Sequence, residues 1–479
     1  MTTNSIYLMI VVAFMIALMV MGLVISRGIN SSEDWMLAGK SLGVIPMAGT
    51  YFATIVSSAS IVSYMGYYYL NGWPGWWNCA GTFVTSFLAC IWFAKRLRKT
   101  GCDTLPQFID ERFGKRHAAF ASLLIVVCCT ALLAAQVIGG ITILQTFVNW
   151  NKAVCCFVLL LIFLLFTAMG GMKAVAWTDT ICSFIIIIGV WMMAIKFLGL
   201  VGGFTEMNRQ IAAISPEFVS AFSVKIPPIT AFSWVVTWGI CNFGAPQFIA
   251  RFFSAQTPEI ASRSQGYTGI GLLLFYIPLV IIGISGMILL PGIEKQDLVF
   301  VGLVTQMLSP VSGGIMFAAV IAAIISTADS LLLLSATTFS NDLWGKYVRP
   351  DLTDKQKLQI SRVATIVIGI GAILATFVIN DAIQFIQVKA VTLMGASMAV
   401  LTMVGVVWKG ANKTGAAASM LTGFITACIW YALGQPAGIY AALPAIIVSF
   451  VTLVVVSKMT APVPQEIIEQ FFPKETDEQ

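Results

Sequence analysis

Long runs of apolar residues, most close to twenty residues, follow one another along almost the whole chain with only short polar breaks between them. A helix needs roughly 20 apolar residues at 1.5 Å rise to cross about 30 Å of hydrocarbon, and it must satisfy its backbone within itself. The pattern therefore predicts a polytopic, all-α membrane protein. Composition agrees, because 58% of residues are hydrophobic and only 10% charged, where a soluble domain carries charge on about a quarter of its residues. The net charge of +6 is scattered between apolar runs and forms no basic stripe, which excludes a disordered or nucleic-acid-binding chain. The 479 residues leave room for up to about 14 crossings and none for a soluble catalytic domain beside them.

Breaking the runs at charged, Gly and Pro clusters gives thirteen expected spans, near residues 5–26, 42–70, 75–94, 118–148, 152–169, 174–200, 230–250, 266–291, 311–340, 361–380, 383–408, 414–433 and 437–457. The first basic residue, Arg27, lies beyond the first run, so the start lacks the charged region of a cleaved signal and reads as a retained span. The loops after odd-numbered spans, with the C-terminal tail, hold 21 of the 27 Lys and Arg residues. The opposite side has only Lys152, Arg209, Lys225 and Lys295, while Lys196 and Lys389 fall inside spans. This asymmetry predicts an outside N-terminus and a cytoplasmic C-terminus. The polar stretches 95–117, 202–228 and 341–362 are short enough to be loops or surface helices, and the tail from Pro462 is too short for an output module. Nine of ten cysteines sit in apolar stretches and none has zinc-ligand spacing with His117, the single histidine, so they read as small buried apolar residues. No GxxxxGK[ST] element is present, which argues against ATP as the energy source.

Two spans look unfit to be continuous helices. Span 2 contains Ala53-Thr54-Ile55-Val56-Ser57-Ser58-Ala59-Ser60, with hydroxyls at mid-depth, and span 7 contains Trp238-Gly239-Ile240-Cys241-Asn242-Phe243-Gly244-Ala245-Pro246-Gln247. A proline removes a backbone donor and clashes with the preceding turn. Broken backbone at that depth is tolerated where it lines a cavity, and its freed carbonyls can hold an ion. The two spans are five apart, the spacing of an inverted repeat in which spans 2–6 form one half and 7–11 the other.

Span 9 contains Ala323, Ser326, Thr327, Asp329 and Ser330. Ala323, Ser326 and Thr327 stand at i, i+3 and i+4, and Ser326, Asp329 and Ser330 repeat that spacing one turn on. A carboxylate and three hydroxyls within five residues of a membrane helix are costly unless a cation, water or polar partner meets them. A hard cation such as Na+ takes hydroxyl, carboxylate and carbonyl oxygens. Hydroxyls bonded back to i−4 carbonyls are the competing reading. Asp179, about one turn into span 6 after the Gly170-Gly171 turn, is expected at the depth of Asp329, where it either favours the helix dipole or brackets a second cation.

The run 319–344, the GGxxAVxWTD segment at 170–179 and Phe243-Gly244-Ala245-Pro246 through Ile249-Ala250-Arg251-Phe252 resemble the sodium/solute symporter family over nearly all of the chain. Thirteen spans suit its bacterial proline and pantothenate permeases. The resemblance implies a 5+5 inverted-repeat core of the leucine-transporter type. Its parts would be 1–40 (first helix and loop), 41–200 (first repeat), 201–229 (extracellular loop), 230–408 (second repeat) and 409–479 (two helices and a tail). It implies a primary sodium site of the Ala53, Val56 and Ala323 carbonyls with the Ser326 and Thr327 hydroxyls, and a second site at Asp179, Ser326, Asp329 and Ser330. The chain has Asp at 329 where a two-sodium relative has serine. Ser57, Ser60, Gln136, Trp238, Asn242, Gln247 and Lys389 would line the solute pocket. Asn242, Leu132 and Leu133 stand where proline permeases carry Tyr, whereas the Gln136-Val137-Ile138-Gly139-Gly140 run resembles the pantothenate permease. Lys389 either pairs with a substrate carboxylate or snorkels to the interface.

These readings lead to a sodium-coupled symporter of the inner membrane importing a small organic solute, with a carboxylate such as pantothenate or a monocarboxylate in view. Na+ is the expected coupling ion. No organic cofactor, nucleic acid or obligate protein partner is expected. A proton-coupled carrier using Asp179 and Asp329 is the nearest rival, and a transporter-like sensor is the rival of another class. A membrane enzyme is disfavoured by the single histidine and the lack of a nucleophile or metal constellation.

Overall fold

The computed structural model describes residues 2–26, 37–169, 171–379 and 381–472; Gly170 of the expected glycine turn, residues 27–36 of the first loop and residues 473–479 of the tail lie outside them. Among the described residues the regular structure is helical, apart from one isolated bridge between Leu42 and Ala255. Ten helices there are long and apolar enough to cross a membrane, and a pair bent by 61° makes an eleventh candidate. In chain order, α1 is Thr3–Ser26, and α2 and α3 are the bent pair Val44–Ile55 and Ala59–Asn71. They are followed by α4 Trp73–Lys99, α5 Leu105–Phe113, α6 Lys115–Phe147, α7 Lys152–Met169 and α8 Met172–Leu200. Next come α9 Phe204–Ile214, α10 Pro228–Gly239, α11 Pro246–Ser254, α12 Pro258–Leu289 and α13 Gln296–Met307. The chain then runs through α14 Pro310–Thr337, α15 Asp354–Thr376, α16 Ile383–Gly405, α17 Lys413–Ala432, α18 Ala442–Met459 and α19 Gln465–Phe471.

Starts of several helices are written locally. Thr257 and Ser309 each accept a hydrogen bond from a backbone N–H three residues on and are followed by Pro at the first helical position. Thr353 and Gln356 form a reciprocal capping box at the start of α15. Burial then ranks the helices. The apolar window of α14 with its extension to Val348 is 89% buried, against 11% for α1, so α14 is the central post and α1 a peripheral helix that leaves apolar side chains facing outward. The post packs on α1, α6 and α8.

As expected of broken spans, residues 42–70 form α2 and α3 rather than one helix. Residues 230–250 form not one helix but α10 and α11, of twelve and nine residues, and the apolar part of α7 is shorter than the rest. The polar stretches 95–117 and 202–228 contain the surface helices α5 and α9. The break after span 8 holds α13, a helix not anticipated from its mixed sequence. It is pinned to α3, where the Gln296 amide donates to Ser63 Oγ at 2.6 Å and a Cβ on Gly66 would stand 2.0 Å from the Gln296 carbonyl. All ten cysteines are free thiols.

Candidate functional site

The chain between α2 and α3 leaves the helix at Val56 (φ −86°, ψ 88°). Val56 N–H makes the last regular bond, to Phe52 (2.8 Å), and Ile61 N–H resumes on Ser57 (3.2 Å). The Ser60 hydroxyl takes the Ile55 carbonyl at 2.6 Å. Between them the carbonyls of Ala53 and Val56 receive no hydrogen bond among the described residues. Neighbouring helices hold the break open: Ser58 N–H donates to Gln136 Oε1 (3.3 Å) on α6, and Gln387 Nε2 on α16 donates to Ser57 Oγ (3.1 Å).

The second break, Cys241–Gly244, is a single tight turn between α10 and α11. Pro246, at the first position of α11, cannot donate and so begins a new helix. The freed carbonyls are claimed by hydroxyls and an amide. Thr85 donates to the Trp238 and Gly239 carbonyls, Asn242 Nδ2 to that of Trp238 (2.7 Å), and Thr402 to that of Phe243 (2.5 Å). Glycines permit the close approach of α16. A Cβ on Gly395 would lie 2.2 Å from Cys241 Cβ, and one on Gly244 2.5 Å from Ala399 N.

Between the two breaks lies a cavity with about 550 Å³ of space between atoms. Six of the seven expected solute residues line it: Ser57, Ser60, Gln136, Trp238, Asn242 and Gln247. Its lining includes no charged side chain among the described residues. Gln136 Nε2, Trp238 Nε1, Asn242 Oδ1, Gln247 Oε1 and Tyr276 Oη are buried there without a partner. The orientations of Gln136 and Asn242 follow from the bonds made by their other ends. Lys389, the seventh residue, is not in the cavity. It pairs with Asp381 at 2.6 Å, with both side chains about half exposed. The cause is helical phase, since Lys389 lies two residues after the cavity-lining Gln387, roughly 200° around the helix.

On α14 the expected oxygens are brought near the breaks but divided between two faces. Thr327 and Ser330 line the cavity just described together with Thr54 and Ile55. Thr327 Oγ1 also donates to the Ala323 carbonyl at 2.9 Å, the i−4 bond of the competing reading. Ser326 and Asp329 face a second cavity under α1. Ser326 donates to Asp179, whose other oxygen accepts from Thr50 at 2.6 Å. Asp179 and Asp329 are both buried, and Arg251 lies within electrostatic reach of both.

Arg251, not among the expected site residues, is buried beside the site. Counted above among loop cations, it is only 2% exposed, donating to Ser330 Oγ and to the Gln247 carbonyl, both at 2.8 Å. Its flanks, Phe248-Ile249-Ala250 and Phe252-Phe253, carried the signal, because an arginine inside an apolar membrane segment needs internal partners. Tyr64, Tyr276 and Gln387 were also missed as lining residues. The two tyrosines stack at 6.2 Å and Trp238 meets Tyr64 edge-on at 6.3 Å, forming an aromatic wall.

A bundle of apolar helices with paired mid-membrane breaks around a polar cavity defines a secondary transporter. The profile of the sodium:solute symporter family matches residues 35–423, and the chain belongs to that family. Among curated relatives, the high-affinity proline transporter PutP of Bacillus subtilis is 25% identical over 92% of this chain and 96% of its own length. A sodium/proline symporter of Staphylococcus aureus is 27% identical over 95% and 92%. The fold is similar to a Na+-coupled sialic acid symporter solved in a substrate-bound outward-open state, with TM-score 0.82, 18% identity and coverage of 96% and 98%. It also resembles MhsT solved with L-phenylalanine, with TM-score 0.59, 15% identity and coverage of 85% and 98%. The protein is a sodium-coupled membrane transporter and not an enzyme.

Proposed function

We propose that this chain accumulates a small zwitterionic solute, an amino acid of about proline's size first among candidates, by Na+-coupled alternating access. The observation that carries this reading is the balance of the uncharged cavity. Two unpartnered donors, Gln136 Nε2 and Trp238 Nε1, complement a carboxylate, two unpartnered acceptors, Asn242 Oδ1 and Gln247 Oε1, complement an ammonium, and the unpartnered Tyr276 hydroxyl can serve either. Buried polar groups without partners cost about 1–3 kcal/mol each, so a solute that pairs them gains that much selectivity. The expectation of a pantothenate-like carboxylate rested partly on Lys389, which is spent on Asp381. The curated relatives named above are proline symporters.

The primary Na+ would sit between the free Ala53 and Val56 carbonyls and the Ala323–Thr327 turn of α14, tying the first break to the central post. Ser326 would serve it or the second site with Asp179, Asp329 and Ser330. Two acids against one arginine leave a formal charge of −1 when both are ionised, which a second monovalent cation would neutralise. We further assign thirteen crossings, counting α7 and the α10–α11 pair, with residues 41–200 and 230–408 as the two inverted repeats. The flanking parts are the first helix and loop (1–40), the outer loop (201–229) and the last two helices with the tail (409–479). The N-terminus lies outside and the C-terminus in the cytoplasm of the plasma membrane. One Na+ crossing a potential of ~100 mV down a tenfold gradient releases roughly 3.7 kcal/mol, enough for several hundredfold accumulation of a solute without net charge. Counterflow in proteoliposomes, with proline, other amino acids, pantothenate and monocarboxylates each tested with and without Na+, separates the candidates. Na+-dependent exchange of a zwitterion is expected. Exchange of pantothenate alone, or exchange indifferent to Na+, would overturn the reading.

A further inference from the structure

At the N-terminal ends of α6 and α17 the protein has a cleft that plays no part in the transport site. It holds about 1150 Å³ of space between atoms, much of it open to solvent, and is lined by Lys115, Arg116, His117 and Lys413 above the apolar side chains of Phe120 and Leu421. Lys115, Arg116 and Lys413 form no ion pair among the described residues, although Lys346 of the 341–362 stretch pairs with Asp110 at 3.1 Å. No acidic side chain lines the cleft among those residues. Its cations stand at the first turns of two membrane helices, and its apolar residues lie one to two turns deeper, at roughly 8 to 12 Å along the helix axes. A free anion in water would need only the upper part. A molecule with a negative head and hydrocarbon chains needs both, in that order along the membrane normal. Clustered basic side chains between helices on the cytoplasmic side attract anionic headgroups, each charge near the surface contributing about 1 kcal/mol.

We propose that this cleft binds one anionic phospholipid of the cytoplasmic leaflet, with the phosphodiester against Lys115, Arg116 and Lys413 and an acyl chain along Phe120 and Leu421. The lipid bridges α6, which contributes Gln136 to the solute cavity and holds the first break through Ser58, to α17 of the C-terminal pair. The proposal depends on which side of the membrane the cleft occupies and not on the identity of the solute.

The test is lipid retention by the full-length protein. Protein purified in detergent is mixed with phosphatidylglycerol or phosphatidylcholine and examined by native mass spectrometry, with the thermal unfolding midpoint measured in parallel. The wild type is expected to keep one phosphatidylglycerol in preference to phosphatidylcholine. The variant Lys115→Gln/Arg116→Gln/Lys413→Gln should lose that preference at least tenfold, while Arg349→Gln/Lys355→Gln/Lys357→Gln, which removes the same charge from another loop, should keep it. Equal retention by wild type and the cleft variant, or equal loss in both variants, would overturn the proposal. So would full protection by millimolar inorganic phosphate, which would make the cleft a site for the free anion. Binding that appears only when residues 473–479 are removed would assign the cleft to the chain's own acidic tail, with Glu475, Asp477 and Glu478, and would equally end the lipid assignment. The three cleft cations lie at the ends of helices with exposed side chains, so the variants are expected to fold.

Discussion

Single side chains carry the chemistry, and their roles separate by which partner each lacks. Thr327 lines the central cavity beside the first break, so Thr327→Ala should raise the Na+ concentration for half-maximal uptake at least tenfold while leaving solute binding at saturating Na+ nearly intact; Na+ titration of uptake reads this directly. Gln136 uses its carbonyl on Ser58 and leaves its NH2 free. Gln136→Glu keeps the first bond and replaces the free donor with an acceptor. Solute affinity should fall tenfold to a hundredfold, or about 1.4–2.8 kcal/mol, and unchanged affinity would show that this amide does not face the solute. Arg251 is a buried cation within electrostatic reach of the buried Asp179 and Asp329, bonded directly to Ser330 and the Gln247 carbonyl. Removing one partner from such a group costs about 3–5 kcal/mol, so Arg251→Gln should lower the unfolding midpoint sharply. Arg251→Gln/Asp329→Asn, which restores the charge balance, should be more stable than Arg251→Gln alone. A double variant no more stable than the single one would show that the two charges are not coupled.

At the level of elements, the breaks in the second and seventh expected spans were legible because Ser clusters and Gly-Ala-Pro are unsuited to a continuous helix in lipid. Their surroundings were not. Which face of α14 meets which cavity depends on the phase of a helix packed on three sides, and i, i+3, i+4 spacing places Ser326 and Thr327 together although they open on opposite cavities. The same indeterminacy sent Lys389 into the expected pocket when Gln387, two residues earlier, was the cavity residue. The helix α13 was hidden because its mixed sequence has no membrane-length apolar run and its partner, Ser63, is 233 residues away. Close packing at the second break gives a prediction of its own. Gly395→Ala places a methyl 2.2 Å from Cys241 Cβ, and overpacking of this kind costs about 1–3 kcal/mol. The thermal midpoint should drop and transport should fall with it; an unchanged midpoint would mean that α16 and the break are not in tight contact.

For the molecule as a whole, hydropathy was enough for the class of fold, because lipid imposes long helices on any chain that crosses it. It was not enough for the solute, because the unpaired polar atoms of the central cavity come from four separate helices and the turn between two of them. A ligand that binds the folded state at a hundred times its dissociation constant stabilises it by about 2.7 kcal/mol. Na+ in place of K+ should therefore raise the unfolding midpoint of the wild type and raise that of Thr327→Ala less. The most direct test of the account is coupling itself. Proteoliposomes are loaded with equal Na+ on both sides and given an inward gradient of the solute that counterflow identifies. Net inward movement of Na+ driven by that gradient, abolished in Thr327→Ala, is the predicted result. Solute entry with no Na+ movement would contradict it.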